Sequence, residues 1–139
     1  MGLAYYFGEG VAQDYAAAAD WFDRAASQGN ADSMNTLGHL YDTGRGVERD
    51  LGMAFALFDR AARLGHATAQ VNLAWYLSKG MGTEADLAAA AMWAEIGVAG
   101  GRTHRAYVAE EMRRRLPPDV AAALPARVEA CVASGYSDC

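Results

Sequence analysis

Proline is missing until Pro117; Pro118 and Pro125 are the only others. Nothing before Pro117 therefore interrupts a helix through a lost N–H or a locked φ. Positive charge is short, with 12 Lys and Arg against 17 Asp and Glu and a formal net charge of −5. Nucleic-acid binders carry a basic footprint, so no nucleic-acid partner is expected. Long apolar runs are missing too. The longest, Leu87 to Ala94, ends at Glu95, well short of the ~20 residues that span a bilayer. No membrane span is expected. No basic, then apolar leader opens the chain, and Tyr6 stands where a myristoylation signal needs Ser or Thr.

The signatures of chemistry are absent as well. There is no Gly-x-Ser-x-Gly elbow, phosphate loop or dinucleotide fingerprint. His39, His66 and His104 show no metal-ligand spacing, and no carboxylate pair falls on one buried face as acid–base work needs. Cys131 and Cys139, the only cysteines, lack histidines at zinc-motif spacing. The expectation is a non-enzyme with no catalytic residue, no metal and no cofactor.

What the chain does have is alanine, glycine and a period. Hydrophobic residues make up 53% of it, much of that alanine, which favours closely packed helices over strands. A shift of 36 places Gly2 on Gly38, Tyr5 on Tyr41, Gly8 on Gly44, Gly10 on Gly46, Val11 on Val47 and Asp14 on Asp50. It also places Ala18 on Ala54, Phe22 on Phe58, and Asp23-Arg24-Ala25-Ala26 on Asp59-Arg60-Ala61-Ala62. A second shift is weaker: Leu37 meets Leu73, Gly44 and Gly46 meet Gly80 and Gly82, Asp50 meets Asp86, and Gly65 meets Gly101. Internal recurrence at this length is the mark of a helical repeat array.

Each recurring residue has a physical reason. The Gly-x-Gly pairs end one helix and turn the chain. They recur too regularly to be phosphate cradles. Asp14, Asp50 and Asp86 precede amphipathic segments and read as N-caps. Gly29, Gly65 and Gly101 stop the second helix of each unit. Small residues such as Ala18, Ala54 and Ala90 allow close approach beside Trp21, Phe22, Leu57, Phe58 and Trp93. The expected first helices cover residues 31–43, 67–79 and 103–116, and the second helices 14–28, 50–64 and 86–99. No such pair buries its own apolar face, so pairs stack into a curved array. The fold class is all-α: an α/α superhelix of about three helix–turn–helix repeats with a C-terminal capping helical segment.

The pattern Leu37-Gly38-x-x-Tyr41-x-x-Gly44-x-Gly46-Val47-x-x-Asp50, followed by Ala54 and Ala61-Ala62-x-x-Gly65, resembles the Sel1-like repeat, a relative of the tetratricopeptide repeat. The resemblance covers residues 1 to about 102. It implies a solenoid that acts as an adaptor or scaffold for protein partners, with the first helix of each pair lining the concave face. Units of this kind occupy 1–36, 37–72 and 73–102, the first lacking the start of its first helix, and 103–139 supplies a last helix and a cap. The third unit departs from the pattern at Ala74, Leu77, Thr83 and Gly97-Val98, and is expected to pack less regularly. Met1-Gly2 aligns with Leu37-Gly38, halfway along a first helix. Either the chain continues upstream or a second copy covers the exposed surface, which makes a homo-oligomer through this helix one expected partner.

Thr103 is a candidate N-cap for the helix that Pro117-Pro118 ends, and that helix is expected to turn alanine and Tyr107 inward. Residues 119–134 are helical again, with Pro125 either kinking that helix or starting a new one. Arg102, Arg105, Arg113, Arg114, Arg115 and Arg127 read as a solvated face. Two readings of Cys131 and Cys139 stay open: a disulfide, with Gly135 reversing the chain between them, or two free thiols. A disulfide implies an oxidising compartment such as a periplasm; a periplasmic or secreted location is expected if an upstream signal was removed, and a cytoplasmic one otherwise.

If first helices line the inner surface, register lists the residues facing the groove. They are Asn35, His39 and Asp42, then Val71, Trp75 and Ser78 with Lys79 beside them, then Tyr107, Glu111 and Arg114 with His104 a turn earlier. Leu37, Tyr41, Leu73 and Leu77 turn into the core instead. Amide, imidazole, aromatic and charged groups together suit recognition of a peptide or protein. The expected function is a non-catalytic interaction module. The alternatives are a structural oligomer, or a regulatory or inhibitory piece acting on an enzyme.

Overall fold

Local capping rules cut the chain into short helices of nearly equal length. The computed structural model describes residues 2–8, 14–101 and 105–139. They form α1 (Gly2–Phe7), α2 (Tyr15–Ser27), α3 (Ala31–Thr43), α4 (Leu51–Arg63), α5 (Ala67–Lys79), α6 (Leu87–Ala99), α7 (Ala106–Arg114) and α8 (Pro118–Ala133). There is no strand among the described residues.

The side chains of Asp14, Asp50 and Asp86 accept from the backbone N–H of Ala17, Met53 and Ala89 at 3.1, 3.0 and 2.9 Å. Each satisfies an otherwise orphaned donor at the start of a second helix. Asn30 does the same for α3, accepting from Ser33 N–H at 2.9 Å. His66, one period later, caps α5 through Nδ1, which accepts from Ala69 N–H at 3.1 Å. Its Nε2 faces Asp32 Oδ1 at 2.6 Å. His66 follows a helix-ending glycine as expected, but it is a working cap that ties α5 to α3. Gly44 and Gly80 close α3 and α5 in the left-handed region, returning their N–H groups to Leu40 O and Tyr76 O. The Thr103 cap and Gly10 fall outside the described residues.

Adjacent helices pack against each other in chain order from α1 to α7. Within a repeat, a ring seats on a glycine. A Cβ added to Gly38 would lie 2.7 Å from the Phe58 ring, and one added to Gly2 would lie 2.9 Å from Phe22. These glycines let α3 and α1 close on a fully buried aromatic, a burial worth about 1.5–3 kcal/mol per ring. The third repeat reverses both partners at once. Ala74 stands one period from Gly38, Ala94 one period from Phe58, and both are fully buried. A methyl on α5 takes up space that the ring vacates on α6. The substitution that predicted looser packing is half of a small-for-large exchange.

Between repeats the contact is backbone on backbone. A Cβ on Gly46 would fall 2.2 Å from the carbonyl of Tyr15, in the first turn of α2. One on Gly82 would fall 2.2 Å from the carbonyl oxygen of Leu51, in the first turn of α4. The loop after each first helix thus seats on the second helix of the preceding unit. Both glycines also have positive φ, +73° and +67°. The result is an α/α solenoid.

After α7 the repeat pattern gives way. The core of α7 is Val108, Ala109 and Met112, while Tyr107, expected inward, is 69% exposed. In α7 the 3.6-residue stripe turns those three inward and leaves Tyr107 on the adjoining open face. Helix α8 runs unbroken through Pro125 and packs against α6. Cys131 and Cys139 are joined as a disulfide, with their Cα atoms 4.8 Å apart. Inside this loop Tyr136 turns back on Trp93, with ring centroids 6.2 Å apart. The Arg63 guanidinium donates to the Tyr136 carbonyl at 3.1 Å and lies 5.8 Å over Trp93.

Two stability outcomes follow. Gly46→Ala is expected to cost about 3 kcal/mol or more, since a blocked contact adds to the strain of positive φ. Gly29→Ala, at φ +87° with open space around it, is expected to cost only about 1–2 kcal/mol. Urea denaturation of the two variants measures the difference, and equal losses would exclude the backbone seat. Replacing both cysteines by alanine is expected to remove about 2.5 kcal/mol through loop-closure entropy. The same titration reads this as a lower midpoint, and an unchanged midpoint counts against the clasp.

Candidate functional site

Several polar residues of the first helices meet one another across repeats. Asn35 lies in α3 and is only 9% exposed. Its Oδ1 accepts from Asn72 Nδ2 of α5 at 2.9 Å. Asn72 Nδ2 also faces His39 Nε2 at 3.2 Å. On its other side, Asn72 Oδ1 accepts from an Arg105 N–H at the start of α7, at 3.3 Å. Arginine only donates, so it fixes which end of the Asn72 amide is oxygen. The NH2 end must then point to Asn35 and His39. The outcome is a ladder, Asn35–Asn72–Arg105, crossing three successive first helices.

His39 takes its tautomer from this ladder. Nε2 accepts from Asn72, so the ring proton sits on Nδ1. The ring edge packs on Phe58 with centroids 5.2 Å apart. Burial of the ring pushes its pKa below the ordinary 6.5; Asp42 opposes that shift and Arg105 adds to it. Next to it, the Tyr76 hydroxyl donates to Asp42 Oδ1. Desolvation and this bond to a carboxylate hold the Tyr76 phenol well above its usual range.

Trp75 and Tyr107 stand open on the same face, 49% and 69% exposed. Val71, Asn72, Trp75, Arg105, Tyr107 and Val108 line a recess of about 300 Å³. Val71 is 2% exposed and packs against Gly97, so it offers a wall more than a contact. Lys79 lies 4.9 Å over the Trp75 ring. Glu111 and Arg114 are exposed, and Arg114 reaches Glu110 at 3.1 Å and Glu111 at 3.9 Å. Ser78 turns back to the Trp75 carbonyl at 2.8 Å. His104 lies outside the described residues.

Of the residues expected on the face, Asn35, His39, Asp42, Val71, Trp75, Lys79 and Tyr107 are brought together around the ladder and its recess. Arg114 pairs with Glu110 first and Glu111 second, all on the exposed side of α7. Asn72, Tyr76 and Arg105 were not anticipated. Asn72 sits one residue past the position that repeats from Asn35, and Arg105 lies where periodicity fades. A polar residue beside the core leucine Leu73 was the available signal for Asn72.

A further recess of about 340 Å³ opens near α1, bordered by Gly2, Leu3, Trp21, Phe22 and Thr36. Its polar neighbours are committed already, Asn30 to the α3 cap and Asp32 to His66.

The fold is a helical solenoid with a polar and aromatic face on its first helices. The family model described as Sel1 repeat matches the chain three times, over residues 1–30, 31–66 and 67–101. The chain belongs to the Sel1 repeat family. Proteins of this family generally mediate protein–protein interaction and are typically non-catalytic scaffolds. Comparison with curated proteins finds no significant match. Among solved structures, the chain is similar to a Sel1 repeat protein from Oxalobacter formigenes, with TM-score 0.78 and 25% identity. It is also similar to c5321, a protective antigen present in uropathogenic Escherichia coli strains displaying an SLR fold, with TM-score 0.79 and 32% identity. Both matches cover 82% of this chain, which spans 47% of the first structure and 24% of the second.

The ladder predicts a pH effect. The folded state favours neutral His39, so its contribution is complete above about 6.5. It falls as pH drops from there to the lower folded value, and then levels off. The urea midpoint is expected to decline between pH 7.5 and 5, with a shallower decline in His39→Gln. Parallel profiles for the two proteins would remove His39 as the cause.

Proposed function

We propose that the chain binds an extended segment of a protein partner along the face of α3, α5 and the start of α7, without catalysis. The single observation that supports this is the Asn35–Asn72–Arg105 ladder, flanked by open Trp75 and Tyr107. Amides suit an extended backbone because each offers a donor and an acceptor at once. Among the described residues the Asn35 NH2 group has no hydrogen-bond partner, which leaves it for that purpose. Trp75 and Tyr107 bring large apolar area at low entropic cost, the usual character of an interface anchor. The three helices present one continuous strip, so a single partner segment crosses several repeats.

A randomised peptide library displayed on phage and panned against the whole chain tests this. Enriched peptides are expected to bind wild type and to lose about thirtyfold in affinity against Trp75→Ala, the loss of a typical aromatic anchor. Asn35→Ala with Trp75→Ala is expected to lose more. Fluorescence anisotropy measures both, with thermal melts confirming that the variants fold. Enriched peptides that bind the double variant as tightly as wild type would place the binding surface elsewhere.

A further inference from the structure

Three arginines face a carboxylate. Arg63 pairs with Asp59 at 3.1 Å, Arg113 with Glu95, and Arg114 with Glu110 at 3.1 Å. Arg105 does not. Its one polar contact among the described residues is the 3.3 Å bond to Asn72 Oδ1. A guanidinium carries five N–H donors in a rigid fork, so most of its hydrogen-bonding capacity is unspent. It is also only partly exposed, and a cation drawn out of water is costly until a partner neutralises it.

Lys79 repeats the pattern. Its ammonium lies over Trp75 and makes no ion pair among the described residues. The carboxylates nearby are committed: Asp42 accepts from Tyr76, and Glu111 faces Arg114. A chain with a formal charge of −5 thus holds the Arg105 guanidinium in this recess without an ion pair among the described residues, and an exposed Lys79 ammonium over the Trp75 ring. The surroundings of Arg105 are not those of a solvated charge. Val71 and Val108 make the walls, and Trp75 and Tyr107 stand at the mouth.

We propose that this recess receives an Asp or Glu side chain of the bound segment, with an adjoining apolar or aromatic residue held by Trp75 and Tyr107. The proposal rests on the reading of this face as the partner surface and adds the chemistry of the partner. The carboxylate meets the Arg105 fork with its two oxygens, the geometry that makes guanidinium pairs both strong and selective. Lys79 adds a second positive charge at the rim and steers acidic segments toward the site. Asn72 holds the guanidinium in place from behind, so the ladder that accepts the backbone also aims the cation.

The test uses the whole chain and peptides from the library selection. Sequences bound in a Trp75-dependent way are remade with each Asp changed to Asn and each Glu to Gln. One acidic position is expected to matter most, its amide form binding wild type about tenfold more weakly. Against Arg105→Gln the acid and amide forms are expected to bind equally. Against Arg105→Glu the preference is expected to reverse toward lysine at that position. Lys79→Gln is expected to weaken acidic peptides and to flatten their salt dependence. Thermal melts and far-ultraviolet circular dichroism confirm that each variant folds. Trp75-dependent peptides with no acidic preference overturn this proposal and leave the partner surface standing. So does an acid-over-amide preference that survives in Arg105→Gln. Enriched peptides that ignore Trp75 and Asn35 overturn both.

Discussion

The seat of one backbone on another at Gly46 and Gly82 sets the arrangement of everything else. Each of these glycines sits where any Cβ would enter the first turn of the preceding second helix. The contact is made by main chain alone, so its distance is short and its angle is fixed. Gly82 thus seats the unit of α5 and α6 on α4. In the same arrangement Asn35 of α3 reaches Asn72 of α5, and Asn72 reaches Arg105 at the start of α7.

The polar face and the core are not independent. His39 rests its ring on Phe58, and Phe58 fills the notch at Gly38. Tyr76 meets Phe58 edge-on, with centroids 5.2 Å apart, and donates to Asp42. One buried ring therefore supports two polar groups from different repeats. This backing restrains both polar groups, since side chains locked by packing have little rotamer freedom left to lose.

The repeat, the helix ends and most of the core were legible in the sequence because a period of 36 residues repeats the same capping and packing constraints. Asp14, Asp50 and Asp86 declared the starts of second helices, and Leu37, Leu73 and Leu77 declared the inward stripe. The polar face of the first helices was legible only in part. Register pointed to Val71 as the counterpart of Asn35, whereas Asn72 makes the bond. A repeat specifies where a helix sits; which of two neighbouring polar residues spans the gap depends on the angle between helices. Arg105 was read as part of a solvated basic run, because its single contact is with a residue 33 positions away. The caps of the first helices were equally hidden: His66 is an uncommon cap, and only its register with Asn30 hinted at it.

The ring seat and the backbone joint divide the molecule in different ways. The small and large partners Gly38 and Phe58 lie in the same unit, as do Ala74 and Ala94. The joints at Gly46 and Gly82 are made by main chain. A crossover between units therefore keeps each ring seat intact, whereas one inside a unit does not. Splicing α5 to α4 would press the Ala74 methyl into the Phe58 ring, and splicing α3 to α6 would leave Gly38 facing the short Ala94. Recombination that lengthens or shortens such an array can break cleanly between units, while a crossover inside one leaves either a collision or a hole.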